Sequence, residues 1–219
     1  MDNNVIGFIG VDMSDILFYL SRILYHLEKR IILVDLSDNK EIINSLANKT
    51  GLDLYHYNGV DITCKMEHIS NFKNYDHVFI YYGFRYDDSV NLCNRIVFTT
   101  DMNPRHIALT SNFYKELAKE SSTLISFLIR NVFDIKIKVE YIIEKIHHSL
   151  DKEKVACIYA DFEDMKTSLV NQYNLEITFQ KISPSLKQFL KEMVIKIEPS
   201  RKEKEINAAY KKAERGYVS

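Results

Sequence analysis

Short uninterrupted apolar runs alternate along this chain with segments in which apolar residues recur every three or four positions. Val5 to Val11 and Ile31 to Leu36 are runs of strand length, and between them Ile16, Leu17, Leu20, Ile23, Leu24 and Leu27 fall on one helix face. Continuous apolar strands joined by an amphipathic helix imply parallel pairing buried on both faces, with a right-handed crossover. The alternation continues. Further strands are expected at His77 to Tyr82, Arg95 to Thr100, Thr123 to Ile129, Lys154 to Tyr159 and Leu175 to Phe179. Helices are expected at Asn39 to Asn48, Pro104 to Lys119, Lys138 to Ser149, Phe162 to Val170 and Ser183 to Lys196. Pro104 and Pro184 suit first helical turns, where a missing N–H costs nothing. The expected class is α/β: a doubly wound, mostly parallel sheet with helices on both faces. With no linker before Glu198, residues 1–198 read as a single α/β domain. Residues 199–219 read as a charged C-terminal tail, helical or disordered, with Ile206, Tyr210, Tyr217 and Val218 as its sizeable apolar residues. That composition implies a solvated or partner-seeking segment.

A chain of 219 residues can bury roughly 70% of its unfolded surface, enough for one large core. Its 29 basic and 30 acidic residues leave a net charge of -1, so no global field gathers nucleic acid or anionic lipid. Cys64, Cys93 and Cys157 lack CxxC spacing and are odd in number, which argues against a disulfide framework and a thiolate metal site. No apolar run reaches the roughly 18 residues of a membrane span, and no leader pattern opens the sequence. The expectation is a cytoplasmic protein without membrane insertion.

In a parallel sheet the ligand crevice lies beyond the carboxyl ends of the strands, which directs attention to the turn after the first strand. It reads Gly10-Val11-Asp12-Met13-Ser14-Asp15. A phosphate there would need glycines for close approach, free N–H groups at the helix start and a lysine for the terminal phosphates. No lysine precedes Lys29, and the only earlier basic residue, Arg22, lies well inside the predicted helix. Asp12 and Asp15 place carboxylates where positive potential would be required. Asp12 or Ser14 instead suits a helix cap. Asp12, Asp15 and Asp35 could together attract a hard cation, but capping and solvation are the commoner roles of such acids.

Two families share this opening. Ile6-Gly7-Phe8-Ile9-Gly10 with Asp35 at the end of the second strand resembles an NAD-dependent dehydrogenase. Its glycine pattern, however, has aspartates at the second and third glycine positions, and carboxylates repel a pyrophosphate. Over roughly Val5 to Met193 the chain resembles the MinD/ParA group of P-loop ATPases, including TadZ proteins. Tyr75-Asp76-His77-Val78-Phe79-Ile80-Tyr81-Tyr82-Gly83 matches that group's YDxVIID strand, with Tyr81 at the metal-associated aspartate. Arg95 to Pro104 resembles its strand leading through a TxPxP-like turn into a helix, and Asp35 matches its acidic strand end. The alignment puts Asp12 on a loop glycine, Met13 on the loop lysine and Ser14 on the magnesium-binding hydroxyl. The signature lysine has no counterpart. The resemblance thus implies the fold of an ATPase with a degenerate P-loop, and neither catalytic residue, cofactor nor metal is expected.

His147-His148 and the acids Asp161, Glu163 and Asp164 read as solvated surface, and Asp87-Asp88 as a helix cap. Tyr82, Phe84, Arg85 and Tyr86 form an aromatic and basic group at the crevice rim, a candidate surface for a protein partner or for constitutive self-association. The expected function is a pseudo-ATPase scaffold or regulator that positions or assembles a larger apparatus, such as a pilus, secretion or partition complex. Two alternatives remain open: an atypical nucleotide-binding ATPase, and a DNA-partition module that would need basic residues grouped on one face despite the neutral total.

Overall fold

The structure, a computed structural model, describes residues 4–46, 53–67, 73–117, 123–148, 150–174 and 176–216. Its strands are β1 (Asn4–Gly10), β2 (Ile31–Asp35), β3 (Leu54–Tyr57), β4 (Val60–Thr63), β5 (His77–Gly83), β6 (Arg95–Thr100), β7 (Leu124–Val132) and β8 (Val155–Tyr159). The helices are α1 (Ser14–Tyr25), α2 (Glu41–Asn44), α3 (Pro104–Leu117), α4 (Val139–Ile146), α5 (Phe162–Asn174), α6 (Pro184–Ile197) and α7 (Glu203–Ala213). One eight-stranded sheet has the order β3-β4-β2-β5-β1-β6-β7-β8, and only the β3/β4 pair is antiparallel. β1 lies between β5 and β6, and the chain turns one way from it to β2 and the other way from β5 to β6. That reversal opens a crevice at the carboxyl end of β1.

Successive strand residues point to opposite faces, and the core divides accordingly. Phe8 and Phe79 point toward α1, α6 and α7, where Leu20, Leu190, Val194 and Tyr210 are buried. Ile9, Ile80 and Phe98 point toward α3 and α4, against Ile107, Ile142 and Ile146. Proline opens both α3 and α6, and Ser183 caps α6 by accepting the Leu186 N–H. The doubly wound α/β class is as expected.

Two local expectations are corrected. No strand forms over Glu176–Phe179. There the Phe179 N–H donates to the Glu214 carbonyl, at 3.0 Å, and its ring is buried against Tyr19 and Tyr210. The tail is not a solvated segment: α7 lies on α1 and α6 with Ile206, Ala209, Tyr210 and Ala213 buried, and its charges face outward. An element absent from the sequence reading is the hairpin β3–β4, which turns at Asn58-Gly59. Gly59 has φ +82, and a Cβ there would meet the Tyr25 ring at 2.4 Å. Arg22, the early basic residue, donates from α1 to the Asn58 carbonyl of this turn. Of the expected helices, α2 covers only Glu41–Asn44; residues 47, 48, 118, 119 and 149, and Leu175 of the expected strand, lie outside the described residues, as do Tyr217 and Val218. Among the described residues no helix is long and apolar enough to cross a membrane.

Candidate functional site

The crevice is shaped first by Gly10, which ends β1 at φ +134. A Cβ there would stand 1.8 Å from the Thr99 carbonyl oxygen, so glycine alone lets β1 lie this close to the end of β6. The Val11 N–H donates to that carbonyl, at 3.3 Å, and the Thr99 hydroxyl reaches the Val11 carbonyl, at 3.2 Å. The loop then enters α1 with two of its amides bonded to its own carboxylates. The Asp12 carboxylate accepts the Ser14 N–H at 2.8 Å, and the Asp15 carboxylate accepts the Ile16 N–H at 2.8 Å. The N-cap position itself is Met13, without a side-chain cap; of the two expected capping residues, Asp12 accepts one amide from the position before it and Ser14 is the first helical residue. Met13, at the family's lysine position, is buried in the core, and its carbonyl accepts the first helical bond from Leu17.

A residue 115 positions away completes this arrangement. Arg130, at the carboxyl end of β7, grips Asp15 with both terminal nitrogens, at 2.9 and 3.1 Å, and also donates to the Asp12 carbonyl. Parallel N–H bonds from a planar guanidinium to one carboxylate are the strong form of such a pair. Burial pulls the Arg130 pKa down, and the charge of Asp15 more than restores it, so the guanidinium stays charged. The positive charge available at the helix start is thereby spent on the protein's own acid.

Asp35 and Tyr81, the two other family positions, are equally committed. Asp35 is fully buried and accepts from the Ser37 N–H and hydroxyl, at 3.1 and 2.6 Å, and from the Ile42 and Ile43 N–H groups, at 2.8 and 3.3 Å. It caps α2, an element whose start carries Lys40 in a left-handed conformation. Burial raises its pKa, against the pull of these donors. The buried Tyr81 hydroxyl donates to the Glu41 carboxylate and lies 3.3 Å from the Gly10 carbonyl. Burial and the Glu41 carboxylate push its pKa far up, so it remains a donor. Among the described residues no three His, Cys, Asp or Glu side chains are grouped to hold a metal ion. These residues fit a nucleotide triphosphate poorly: two helix-start amides, those of Ser14 and Ile16, are bonded to the chain's own carboxylates, the guanidinium is paired with Asp15, and the strand-end acid is taken up by α2.

Two clefts flank the loop. One, of about 450 Å³, lies between Asp15, Arg130 and helix α5; the other, of about 510 Å³, lies between Glu41, Phe84 and Arg105. His106 borders both, its Nδ1 2.9 and 3.0 Å from the Asp101 carboxylate oxygens and its ring stacked on Phe84 at 5.6 Å. The aromatic rim is smaller than its sequence suggests. Tyr82 is fully buried, its hydroxyl 3.0 Å from Ser89, because its side chain points from the sheet toward Cys93 rather than outward. Phe84 is half-buried on His106 and Phe113. Arg85 and Tyr86 are exposed, with Arg85 3.8 Å from Asp87, which caps a short 3-10 turn through the Ser89 N–H. Sequence reading missed Arg130, Glu41 and the Asp101–His106 pair. The signal for Arg130 was its position at the carboxyl end of a predicted parallel strand, where side chains border the crevice.

No family model and no curated protein matches the sequence. Solved structures do match. The ParA family ATPase from Chlorobium tepidum TLS aligns over 88% of this chain and 99% of its own at 13% identity and TM-score 0.64. The cell division ATPase MinD from Pyrococcus furiosus aligns over 92% and 100% at 14% identity and TM-score 0.64. A chain of the MinC:MinD cell division protein complex of Aquifex aeolicus aligns over 87% and 95% at 14% identity and TM-score 0.64. The chain therefore has the MinD/ParA α/β fold.

Proposed function

We propose that this protein is a pseudo-ATPase: a non-catalytic scaffold or regulator with the MinD/ParA fold, acting through protein partners in the cytoplasm to position or assemble a larger apparatus. The observation that carries the reading is the occupation of two helix-start amides, those of Ser14 and Ile16, by Asp12 and Asp15, with Arg130 locked on Asp15. Phosphoryl transfer requires positive groups aimed at the transferring phosphate, and here the nearest such group is neutralised by the chain itself. The fold neighbours support the choice of process only as analogy: some are named for plasmid partition and others for cell division, and one was solved with a protein partner. α7 supports the expected indifference to membranes, since its apolar residues are used against α1 and α6.

The test is a phosphate-release assay with ATP or GTP and magnesium, alone and with anionic vesicles. Release should not exceed that of buffer under any of these conditions, and the protein should not float with the vesicles. Turnover that scales with protein concentration and is abolished by Asp15→Ala would overturn the reading.

A further inference from the structure

Helix α5 is built inside out. At about 100° per residue, Phe162, Met165, Leu169, Val170 and Tyr173 share one side of the helix, within an arc of roughly 140°. In a surface helix such a stripe faces the core. Here it faces solvent: Phe162 is 71% and Tyr173 82% exposed, the other three are about half exposed, and no residue of α5 is fully buried. The opposite, polar side holds the helix to the body by hydrogen bonds. Asp164 accepts from the Ser183 N–H and hydroxyl, and Asn171 donates to the Thr178 carbonyl, at 2.7 Å, and to the Tyr19 hydroxyl, at 3.3 Å.

Two further apolar side chains are exposed at the end of the edge strand and the loop beside it. Tyr159 ends β8 and is 56% exposed; it pairs with Val132, next to the equally exposed Phe133. On the usual scale of side-chain areas the five residues of α5 present roughly 500 Å² per copy, a large share of the approximately 800 Å² that each partner contributes to a standard interface. The stripe is also nearly palindromic. Phe162 and Tyr173, and likewise Met165 and Val170, are equidistant from a point between Thr167 and Ser168. A two-fold interface needs a self-complementary patch, and an antiparallel pair of α5 helices about that point sets aromatic against aromatic and aliphatic against aliphatic. Lys166 falls inside the arc, but its ammonium turns to Glu163 at 3.3 Å, leaving its stem along the apolar face.

We propose that a second copy of this chain covers α5, with the two helices antiparallel and the assembly independent of nucleotide. The proposal deepens the scaffold reading by naming its self-association surface, and moves that surface from the Phe84–Tyr86 rim to α5. It rests on α5 alone and is tested without nucleotide, so its failure would leave the loop chemistry untouched. Light scattering after size exclusion should give twice the chain mass for the unmodified protein over a wide concentration range. Leu169→Glu should weaken the dimer about a hundredfold or more with an unchanged circular dichroism spectrum, whereas Tyr86→Glu at the rim should leave it intact. Joint Phe162→Cys and Tyr173→Cys substitution should cross-link the two copies on mild oxidation, while either alone should not. A monomeric protein at all concentrations, a dimer indifferent to Leu169→Glu, or cross-linking by a single variant would overturn it.

Discussion

The loop after β1 and the outer face of α5 border the same cleft, yet they treat their chemistry in opposite ways. In the loop, groups that could recognise an anion are matched to partners within the chain: Asp12 and Asp15 take the Ser14 and Ile16 amides, and Arg130 takes Asp15. On α5 the polar side is matched within the chain and the apolar side is left to solvent. Burying polar groups without partners is costly, and so is exposing a contiguous apolar stripe. A molecule that resolves the first cost internally and not the second directs its binding capacity outward, from crevice to surface.

The contrast predicts that stability is sensitive on the crevice side and insensitive on α5. The largest effect should come from Asp35→Ala, which leaves three backbone N–H groups and the Ser37 hydroxyl without their acceptor. A loss of about 3 kcal/mol is expected in urea unfolding. Arg130→Met should cost about 2 kcal/mol by leaving the nearly buried Asp15 carboxylate unpaired, without creating nucleotide affinity.

Internal matching recurs at the opposite end of the sheet, and there it gives a pH dependence. His77 Nε2 lies 2.8 Å from Glu198, which also holds Lys29 at 3.0 Å. Burial lowers the His77 pKa below its ordinary 6.5, and Glu198 opposes that shift. Below pH 6.5 the unfolded chain therefore binds the histidine proton more readily than the folded chain. Stability from this group is complete above 6.5 and declines as pH falls toward the folded-state value, by at most about 1.4 kcal/mol per pH unit. Denaturation curves at pH 7.5 and 5.5 should show the decline, and His77→Gln should reduce it. The smallest effect belongs to α5: at protein concentrations low enough for the chain to be monomeric, Leu169→Glu should change unfolding free energy by no more than about 0.5 kcal/mol, since the side chain is about half exposed.

Much of this fold was legible because continuous apolar strands and period-3.6 helices mark a doubly wound sheet directly. Arg95–Thr100 matches the expected strand residue for residue. The hairpin was present in the alternation of Leu54–Tyr57 and Val60–Thr63 about Asn58-Gly59, but its strands are only four residues long. The loop after β1 was readable as hostile to phosphate, since its charges are local. Its closing residue was not, because Arg130 meets Asp15 across 115 positions of chain. The inversion of α5 was hidden for a different reason. Periodicity shows that a helix has an apolar side, and only the hydrogen bonds of Asp164 and Asn171 show that this side faces out.

The most direct test of the central claim is a calorimetric titration of the unmodified protein with ATP and magnesium. With the Ser14 and Ile16 amides and Arg130 already committed and no lysine in the loop, affinity should be no tighter than about millimolar, roughly 4 kcal/mol. Micromolar binding would mean that Asp15 and Arg130 part to admit the triphosphate, and would contradict the claim that the crevice is closed by its own residues.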